Sequence, residues 1–171
     1  MLQNNRLTVR EVCLFGILAA LTFAAKYVMS WLPNIEPVSL MVMLFAVIFG
    51  WKALFPIYVY VLMEILFYGL GTWNFNYFYI WAILAFGAMA LRKMTDPLGW
   101  AILSGCFGLL FGALCAPVDI FIGGFSYALS KWISGIPFDL LHCGGNFVIA
   151  LLLFNPMRKL IETLYQKMLH S

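Results

Sequence analysis

Six long apolar segments, separated by short polar connections, dominate this sequence of 171 residues. They cover approximately residues 12–32, 38–50, 53–70, 77–91, 98–117 and 137–154. The stretch 118–135 between the last two is polar and interrupted by glycines, and we expect a structured outer loop or a short interfacial helix there. A helix needs about 20 mostly apolar residues to cross a bilayer. Because 64% of the residues are hydrophobic and only 10% are charged, a soluble core cannot hide this much apolar surface. The sequence therefore predicts a single all-α integral membrane domain, residues 1–171, with six transmembrane helices.

The basic residues indicate how such a domain is oriented. Six spans place both termini on one side of the membrane, and eight of the ten basic residues fall on that side: Arg6, Arg10, Lys52, Arg92, Lys93, Arg158, Lys159 and Lys167. Cytoplasmic connections carry an excess of Lys and Arg, so we expect both termini in the cytoplasm. The apolar residues after the first ten lack a small-residue cleavage site, and no cleaved targeting segment is expected.

Two ionisable residues inside the apolar segments are candidates for function, because burying such groups in hydrocarbon is costly. Lys26 lies near the outer end of the first segment, where snorkelling explains it as well as a functional contact does. Glu64 has Tyr60 and Tyr68 one helical turn away on either side, so its carboxyl is not expected to face lipid. A structural hydrogen bond and a ligand contact both fit Glu64.

The start of the last segment, GIPFDLLHCGGNFV, carries a polar stripe. Asp139, His142 and Asn146 follow helical spacing, and the glycines at 144 and 145 permit close approach to the backbone. The stripe fits either interhelical hydrogen bonding or the wall of an outward-facing ligand cavity. Asp139 is alternatively a cap for the first turn.

The connection GLGTWNFNYFYIW concentrates aromatic and amide side chains: Trp73, Asn74, Asn76, Tyr77, Tyr79 and Trp81. Interfacial aromatic belts explain part of this enrichment. The interleaved asparagines favour a site for a flat, partly polar organic molecule, which needs broad rings and a few hydrogen-bonding groups. Asn34 and Glu36, in a proline-stiffened connection, are expected at the same outer surface.

Small residues recur at helical spacing on two segments. Gly16, Ala20 and Ala24 form one strip on the first, and Gly108 and Gly112 form another on the fifth. Such strips allow a second helix to approach closely. Packing inside the bundle is the simpler interpretation of each strip, and docking of a partner is the alternative.

Motifs of catalysis and metal binding are missing from the sequence. It contains no phosphate-binding loop, HExxH, GxSxG or zinc-ligand spacing, and its four cysteines lie in apolar runs typical of packing residues. It also shows no inverted halves of a self-sufficient transporter. We therefore expect no catalytic residue, no metal site and no covalently bound cofactor, and a chain that binds something outside without its own energy source.

The whole chain resembles the substrate-binding S components of energy-coupling factor (ECF) vitamin transporters, which are small bacterial plasma-membrane proteins of six helices. The resemblance rests on the strip Gly16-xxx-Ala20-xxx-Ala24, the following PNIEPVSL, and GIPFDLLHCGGNF in the last segment. It implies a vitamin-binding subunit that works with a membrane coupling subunit and two cytoplasmic ATPases. It also implies that Ala20 and Ala24, with Gly16 one turn earlier, dock the coupling subunit, and that the connection with Asn34, Ile35 and Glu36 contacts the ligand.

The chain looks most like the cobalamin-specific members, and the resemblance therefore implies cobalamin, with His142 near its cobalt. Pyridoxine and pantothenate are alternatives, since an aromatic cavity suits them too. The expected substrate-binding residues are Asn34, Glu36, Glu64, Tyr68, Trp73, Asn74, Asn76, Tyr77, Trp81, Asp139, His142 and Asn146. A small ion-coupled carrier with Glu64 or Asp139 as its proton site is the runner-up. The lipid bilayer is an expected partner, whereas nucleic acid is not.

Overall fold

The computed structural model describes residues 7–32 and 35–170, and helices dominate this part of the chain, which contains no β-strand. The helices are α1 (Val9–Val28), α2 (Val38–Phe49), α3 (Leu54–Tyr68), α4 (Thr72–Ala90) and a helical stretch Pro97–His170, with a 3₁₀ turn at Gly50–Ala53 between α2 and α3. The last stretch is interrupted at Gly124, whose backbone is not helical. We therefore divide it into α5 (97–123) and α6 (125–170). The expected all-α fold is confirmed.

Helix α2 forms the centre of the bundle. Ten of its twelve residues are buried, and it packs against α1, α4 and the α5–α6 pair. Its sequence, VSLMVMLFAVIF, is apolar on every face, as expected for a helix surrounded by others. The outer helices, by contrast, expose many large apolar side chains, such as Ile17, Leu66 and Leu152. Such a surface is typical of contact with lipid rather than water.

Helices α5 and α6 form an antiparallel hairpin that turns at Gly124. The φ and ψ of this glycine are 80° and 176°, a conformation that only glycine adopts readily. Lys131 Nζ lies 2.5 Å from Asp119 Oδ1 near the turn. Further along, the rings of Trp100 and Phe154 stack with their centroids 4.3 Å apart.

The prediction of an outer loop or short interfacial helix at residues 118–135 is wrong. Both helices continue through this region and are separated only at Gly124. The glycines and charges that suggested a loop are accommodated because Asp119 and Lys131 neutralise each other across the hairpin. Helix α6 also continues beyond the predicted end at residue 154, and its last turns pack against the start of α1 and the end of α2 through Tyr165.

The described basic residues that were assigned to one side of the membrane lie at one end of the bundle, which we call the basic end. There, buried Glu11 accepts hydrogen bonds from Lys52 Nζ at 2.7 Å and from the Tyr165 hydroxyl at 2.8 Å. Arg158 Nη1 donates to the Met94 carbonyl oxygen at 3.4 Å. Lys26 lies at the opposite end, which we call the outer end. Six helices that alternate in direction would produce this distribution of basic residues.

Among the described residues, three helical stretches are long and apolar enough to cross a membrane: Val9–Val28, Val38–Tyr68 and Pro97–Leu169. The middle stretch contains the 3₁₀ turn, and the last contains the break at Gly124. The chain therefore has the helices of a membrane protein. Six crossings and cytoplasmic termini remain predictions.

Candidate functional site

A cavity of about 280 Å³ opens at the outer end of the bundle, between α1, α3 and α4. Its lining residues are Lys26, Glu64, Tyr68, Trp73 and Tyr77. Four of these five residues were predicted to bind substrate. For the fifth, Lys26, the sequence allowed either snorkelling to the membrane surface or a functional contact. The cavity therefore joins the last turns of α1 and α3 with the first turns of α4.

Lys26 is the centre of the hydrogen bonding in this cavity. Its Nζ donates to Glu64 Oε2 at 2.6 Å and to the Tyr77 hydroxyl at 3.3 Å. Nζ also lies 3.9 Å from Glu36 Oε2 and 5.2 Å from the centroid of the Tyr77 ring. Snorkelling alone therefore does not explain Lys26, because its ammonium group lies among two carboxylates and a phenol.

Glu64 has unused hydrogen-bonding capacity. The side chain is only 1% exposed, and Oε2 is bonded to Lys26. By strict hydrogen-bond geometry the other carboxylate oxygen, Oε1, has no partner among the described residues, but the buried Tyr60 hydroxyl, which also lacks a partner by that measure, faces the Glu64 carboxyl. Buried polar atoms in native proteins are nearly always paired with protein, water or ligand. The Glu64 carboxylate at the cavity wall therefore has one strong protein donor, Lys26, and can accept a second bond from Tyr60 or from a ligand.

Three aromatic rings form the rest of the cavity wall. The Trp73 and Tyr77 ring centroids are 5.2 Å apart, and those of Tyr68 and Trp73 are 6.4 Å apart. Both pairs meet nearly edge to face. This arrangement presents ring faces and edges together with two phenolic hydroxyls, which suits a small, flat molecule.

The two asparagines of the aromatic connection have structural roles. Asn74 is buried, and its Oδ1 accepts a hydrogen bond from the Gly71 N–H at 2.6 Å, which caps the start of α4. Asn76 is also buried, and its Oδ1 lies 3.1 Å from the hydroxyl of Tyr79. Trp81 is fully buried behind Tyr77 and packs against Phe107 and Phe111. These three predicted ligand residues support the site from behind rather than line it.

The polar stripe on α6 packs between helices. Asn146 Nδ2 donates to Ser39 Oγ at 3.0 Å and to the Ser104 carbonyl oxygen at 3.3 Å, linking α6 to α2 and α5. Asp139 Oδ1 accepts from the Gly112 N–H at 3.1 Å. Interhelical hydrogen bonding, one of the two interpretations, is thus confirmed for these residues. Asp139 does not cap the helix, because α6 begins well before it.

His142 is buried beside the same helix pair. Its ring centroid lies 4.9 Å from that of Phe111. In the described part of the chain its Nε2 has no hydrogen-bond partner, and the same holds for Oδ2 of Asp139 and Oδ1 of Asn146. None of the three residues is among those that line the described outer cavity. These three atoms, on one stripe of α6, are a second group of unpaired buried polar atoms.

The connection after α1 approaches both groups. Asn34 lies outside the described residues, whereas Glu36 contacts Lys26 as given above. A Cβ placed on Gly145 would lie 3.0 Å from Ile35 Cγ1, so this glycine allows the connection to lie directly on α6. The connection therefore covers the outer end between α1 and α6.

The two small-residue strips have different environments. On α5, a Cβ at Gly108 would lie 2.7 Å from the backbone of His142, which confirms internal packing for that strip. On α1, Ala20 and Ala24 are exposed, and no described atom outside their own helix lies within 4 Å of a Cβ built on Gly16. Internal packing therefore does not explain the strip on α1. A docking role for Gly16, Ala20 and Ala24 remains a prediction.

Sequence reasoning left the role of Lys26 undecided and did not identify Ser39 and Ser104. Lys26 carried a signal, an ionisable group in an apolar segment, but its partners come from three other elements and were not deducible from spacing. Ser39 and Ser104 gave no signal, because serine is common in apolar helices. No group of three or more His, Cys, Asp or Glu side chains suited to a metal occurs within residues 7–32 and 35–169.

Comparisons with protein-family models, with curated proteins and with solved structures find no match to this chain.

Proposed function

We propose that this chain is the substrate-binding S component of an ECF-type vitamin uptake transporter in a bacterial plasma membrane. The observation that carries the proposal is the outer cavity, where aromatic rings surround a buried carboxylate with an unpaired oxygen. A ligand-binding subunit needs such a cavity but no catalytic centre. The sequence resemblance supplies the family, and the cavity supports a binding role within it.

The size of the cavity bears on which vitamin is bound. The sequence resembles cobalamin-specific members most, and cobalamin remains the ligand that the resemblance implies. A corrinoid is several times larger than the observed 280 Å³, so its binding requires the outer segments to separate. Pyridoxine or pantothenate requires less rearrangement, because small-ligand sites begin at about 300 Å³. The cavity therefore supports these smaller alternatives better than it supports cobalamin.

The proposed subunit carries out no covalent chemistry and hydrolyses no ATP. We assign ATP hydrolysis to two cytoplasmic ATPases and attachment to a membrane coupling subunit. The exposed strip Gly16, Ala20 and Ala24 supports this assignment, because small residues let a partner helix approach the backbone.

A thermal-shift screen of vitamins against the purified chain tests the binding role. A specific ligand raises the melting temperature by an amount that grows with its concentration relative to Kd. We expect one vitamin to do so with one-to-one stoichiometry in calorimetry, in the absence of any ATPase. If every vitamin leaves the melting temperature unchanged in a cooperatively melting protein, the proposed function is wrong.

A transport assay separates this proposal from the ion-coupled carrier, which the unpaired oxygen of Glu64 also supports. Vesicles that contain only this chain are expected to bind the vitamin without accumulating it, and protein-free vesicles provide the blank. Accumulation driven by a proton gradient, and lost in Glu64→Gln, would establish the carrier instead.

A further inference from the structure

The charges that meet at the outer cavity do not balance. Lys26 contributes one positive charge, whereas Glu36 and Glu64 contribute two negative charges when both are ionised, so the group carries a net charge of −1. At the basic end, by contrast, the cations outnumber the carboxylates. The cavity is therefore an acidic site in a chain of net charge +3.

The position of Lys26 leaves the excess negative charge available. Its ammonium group lies 2.6 Å from Glu64 Oε2 but 3.9 Å from Glu36 Oε2. Glu64 lines the cavity and is 1% exposed, and its Oε1 has no described donor within bonding geometry, with the Tyr60 hydroxyl as the only facing donor that we identify among the described residues. A ligand that donates a hydrogen bond with a positive charge would satisfy this atom and neutralise the site at once.

The aromatic wall favours the same ligand charge. The faces of Trp and Tyr rings attract cations, and Lys26 already lies 5.2 Å from the centroid of Tyr77. Trp73 and Tyr68 complete a wall of three rings beside the carboxylates. Aromatic rings combined with a carboxylate are a typical environment for an organic cation.

We propose that the outer cavity selects a small organic cation, an aromatic molecule bearing a protonated amine or a positively charged ring nitrogen. Glu64 Oε1 accepts its hydrogen bond, Glu36 supplies the balancing charge, and Tyr68, Trp73 and Tyr77 contact its ring. This inference rests on the proposed binding function and specifies the class of its ligand. It disfavours carboxylate ligands such as pantothenate.

Three compounds with one ring and different charges test the selection: benzylammonium, benzyl alcohol and benzoate. Binding to the full chain in nanodiscs is measured by melting temperature and by tryptophan fluorescence, with empty nanodiscs as the blank. A unit charge a few ångströms from an ion is worth about tenfold or more in affinity in such a site. We expect benzylammonium to bind at least about tenfold more tightly than benzoate, with benzyl alcohol between them.

A matched pair of variants identifies the source of the selection. Glu36→Gln removes one negative charge at the cavity, and Glu162→Gln removes one at the basic end, where Glu162 is 44% exposed. The preference for benzylammonium over benzoate should fall about tenfold in Glu36→Gln and stay unchanged in Glu162→Gln. If Glu36→Gln does not fold, acidification of the unaltered protein provides the second measurement, and the preference must decrease as Glu36 is protonated.

Three results would overturn the inference: benzoate binding as tightly as benzylammonium, equal effects of the two variants, or no binding of any compound to a cooperatively melting protein. The outcome of the vitamin screen does not depend on the outcome of this charge test. A neutral or anionic vitamin that binds tightly would leave the proposed function standing and remove the charge selection. If the protein selects among the three compounds but binds no vitamin, the charge selection stands and the proposed vitamin-binding function is wrong.

Discussion

Lys26 and Glu64 lie 2.6 Å apart between α1 and α3, in helices whose other residues are mostly apolar. Each charge is tolerated there because the other compensates it. The sequence identified both residues as unusual, since ionisable groups are rare in apolar segments. It could not predict that they bond to each other, because 38 residues separate them and the contact depends on how α1 and α3 pack.

Removing one member of this pair should destabilise the protein more than removing both. Lys26→Gln leaves Glu64 buried without its counter-charge, and we expect a loss of about 3 kcal/mol in unfolding free energy. Lys26→Gln/Glu64→Gln should recover at least half of this loss, because the closer carboxylate no longer carries an unpaired charge and only Glu36, 3.9 Å from Nζ in the unaltered protein, loses its partner. Reversible unfolding in mixed micelles measures both. Losses that simply add would show that the two charges are not energetically coupled.

The charge on Glu36 should make cation binding depend on pH. Burial raises the pKa of the Glu36 carboxyl; nearby Lys26 opposes the shift, and Glu64 reinforces it. Lys26 on α1 and Glu64 on α3 are the charged groups that face it, together with the phenols of Tyr60 on α3 and Tyr77 on α4. Only ionised Glu36 attracts a cation, so affinity is full above the raised pKa and falls as the pH drops through it.

Titration of benzylammonium affinity from about pH 8 to pH 5 checks this expectation. The decrease should begin above the pH at which an exposed glutamate, with a pKa of about 4.3, becomes protonated. Glu36→Gln should show a flatter profile over the same range, and Glu162→Gln should follow the unaltered protein. An unchanged profile in Glu36→Gln would assign the pH dependence to another group.

At the scale of elements, the apolar pattern predicted the helices well and their ends less well. The first three segments correspond closely to α1 to α3, because charges, prolines and glycines interrupt the chain where those helices stop. The fourth was predicted to begin at residue 77, but α4 begins at Thr72, so Trp73, Asn74 and Asn76 lie in its first turns rather than in a connection. The pattern failed at residues 118–135, where Gly123, Gly124 and Gly135 all looked like helix breakers. Only Gly124 interrupts the helix, because the backbone turns there and the remaining glycines are tolerated within packed helices.

Gly124 should accept no other residue without cost. Its φ of 80° and ψ of 176° lie in a region essentially restricted to glycine, so we expect Gly124→Ala to destabilise the protein by about 1–3 kcal/mol. Gly144→Ala is the control, since Gly144 is helical and no described atom beyond its own helix lies within 4 Å of the new Cβ. That control should be neutral or stabilising by up to about 1 kcal/mol. Similar melting temperatures for the two variants would contradict the assigned turn.

Gly108 determines how closely α5 and α6 approach. In Gly108→Ala the added methyl would meet the His142 carbonyl region at 2.7 Å, which backbone atoms cannot easily avoid. We expect overpacking to cost about 1–3 kcal/mol and to loosen the hairpin. Gly87→Ala on α4, where the described structure leaves open space around the new Cβ, should melt like the unaltered protein. An equally stable Gly108→Ala would mean that the two helices are farther apart.

At the scale of the whole molecule, the exposed strip on α1 leads to a separate prediction about assembly. Ala20→Leu fills the strip without touching the outer cavity, so benzylammonium binding should be unchanged. Co-purification with a co-expressed coupling subunit should be lost. Cys106→Leu, a similar enlargement at an exposed position on α5, should retain assembly. Equal loss in both variants would place the partner elsewhere or show a general defect.

The two buried ion pairs of α1 also constrain how the molecule can move. Glu11 is bonded to Lys52 at the basic end, and Lys26 is bonded to Glu64 at the outer end. These attachments are 15 residues apart along α1, a distance of about 22 Å in a helix. Both partners belong to the single stretch 50–68, so the two ion pairs hold α1 against α3 and against the turn that precedes it. We therefore expect a widening of the outer mouth to keep α1 with α3 and to break the longer contacts of Lys26, the 3.3 Å bond to Tyr77 on α4 and the 3.9 Å ion pair with Glu36 in the connection.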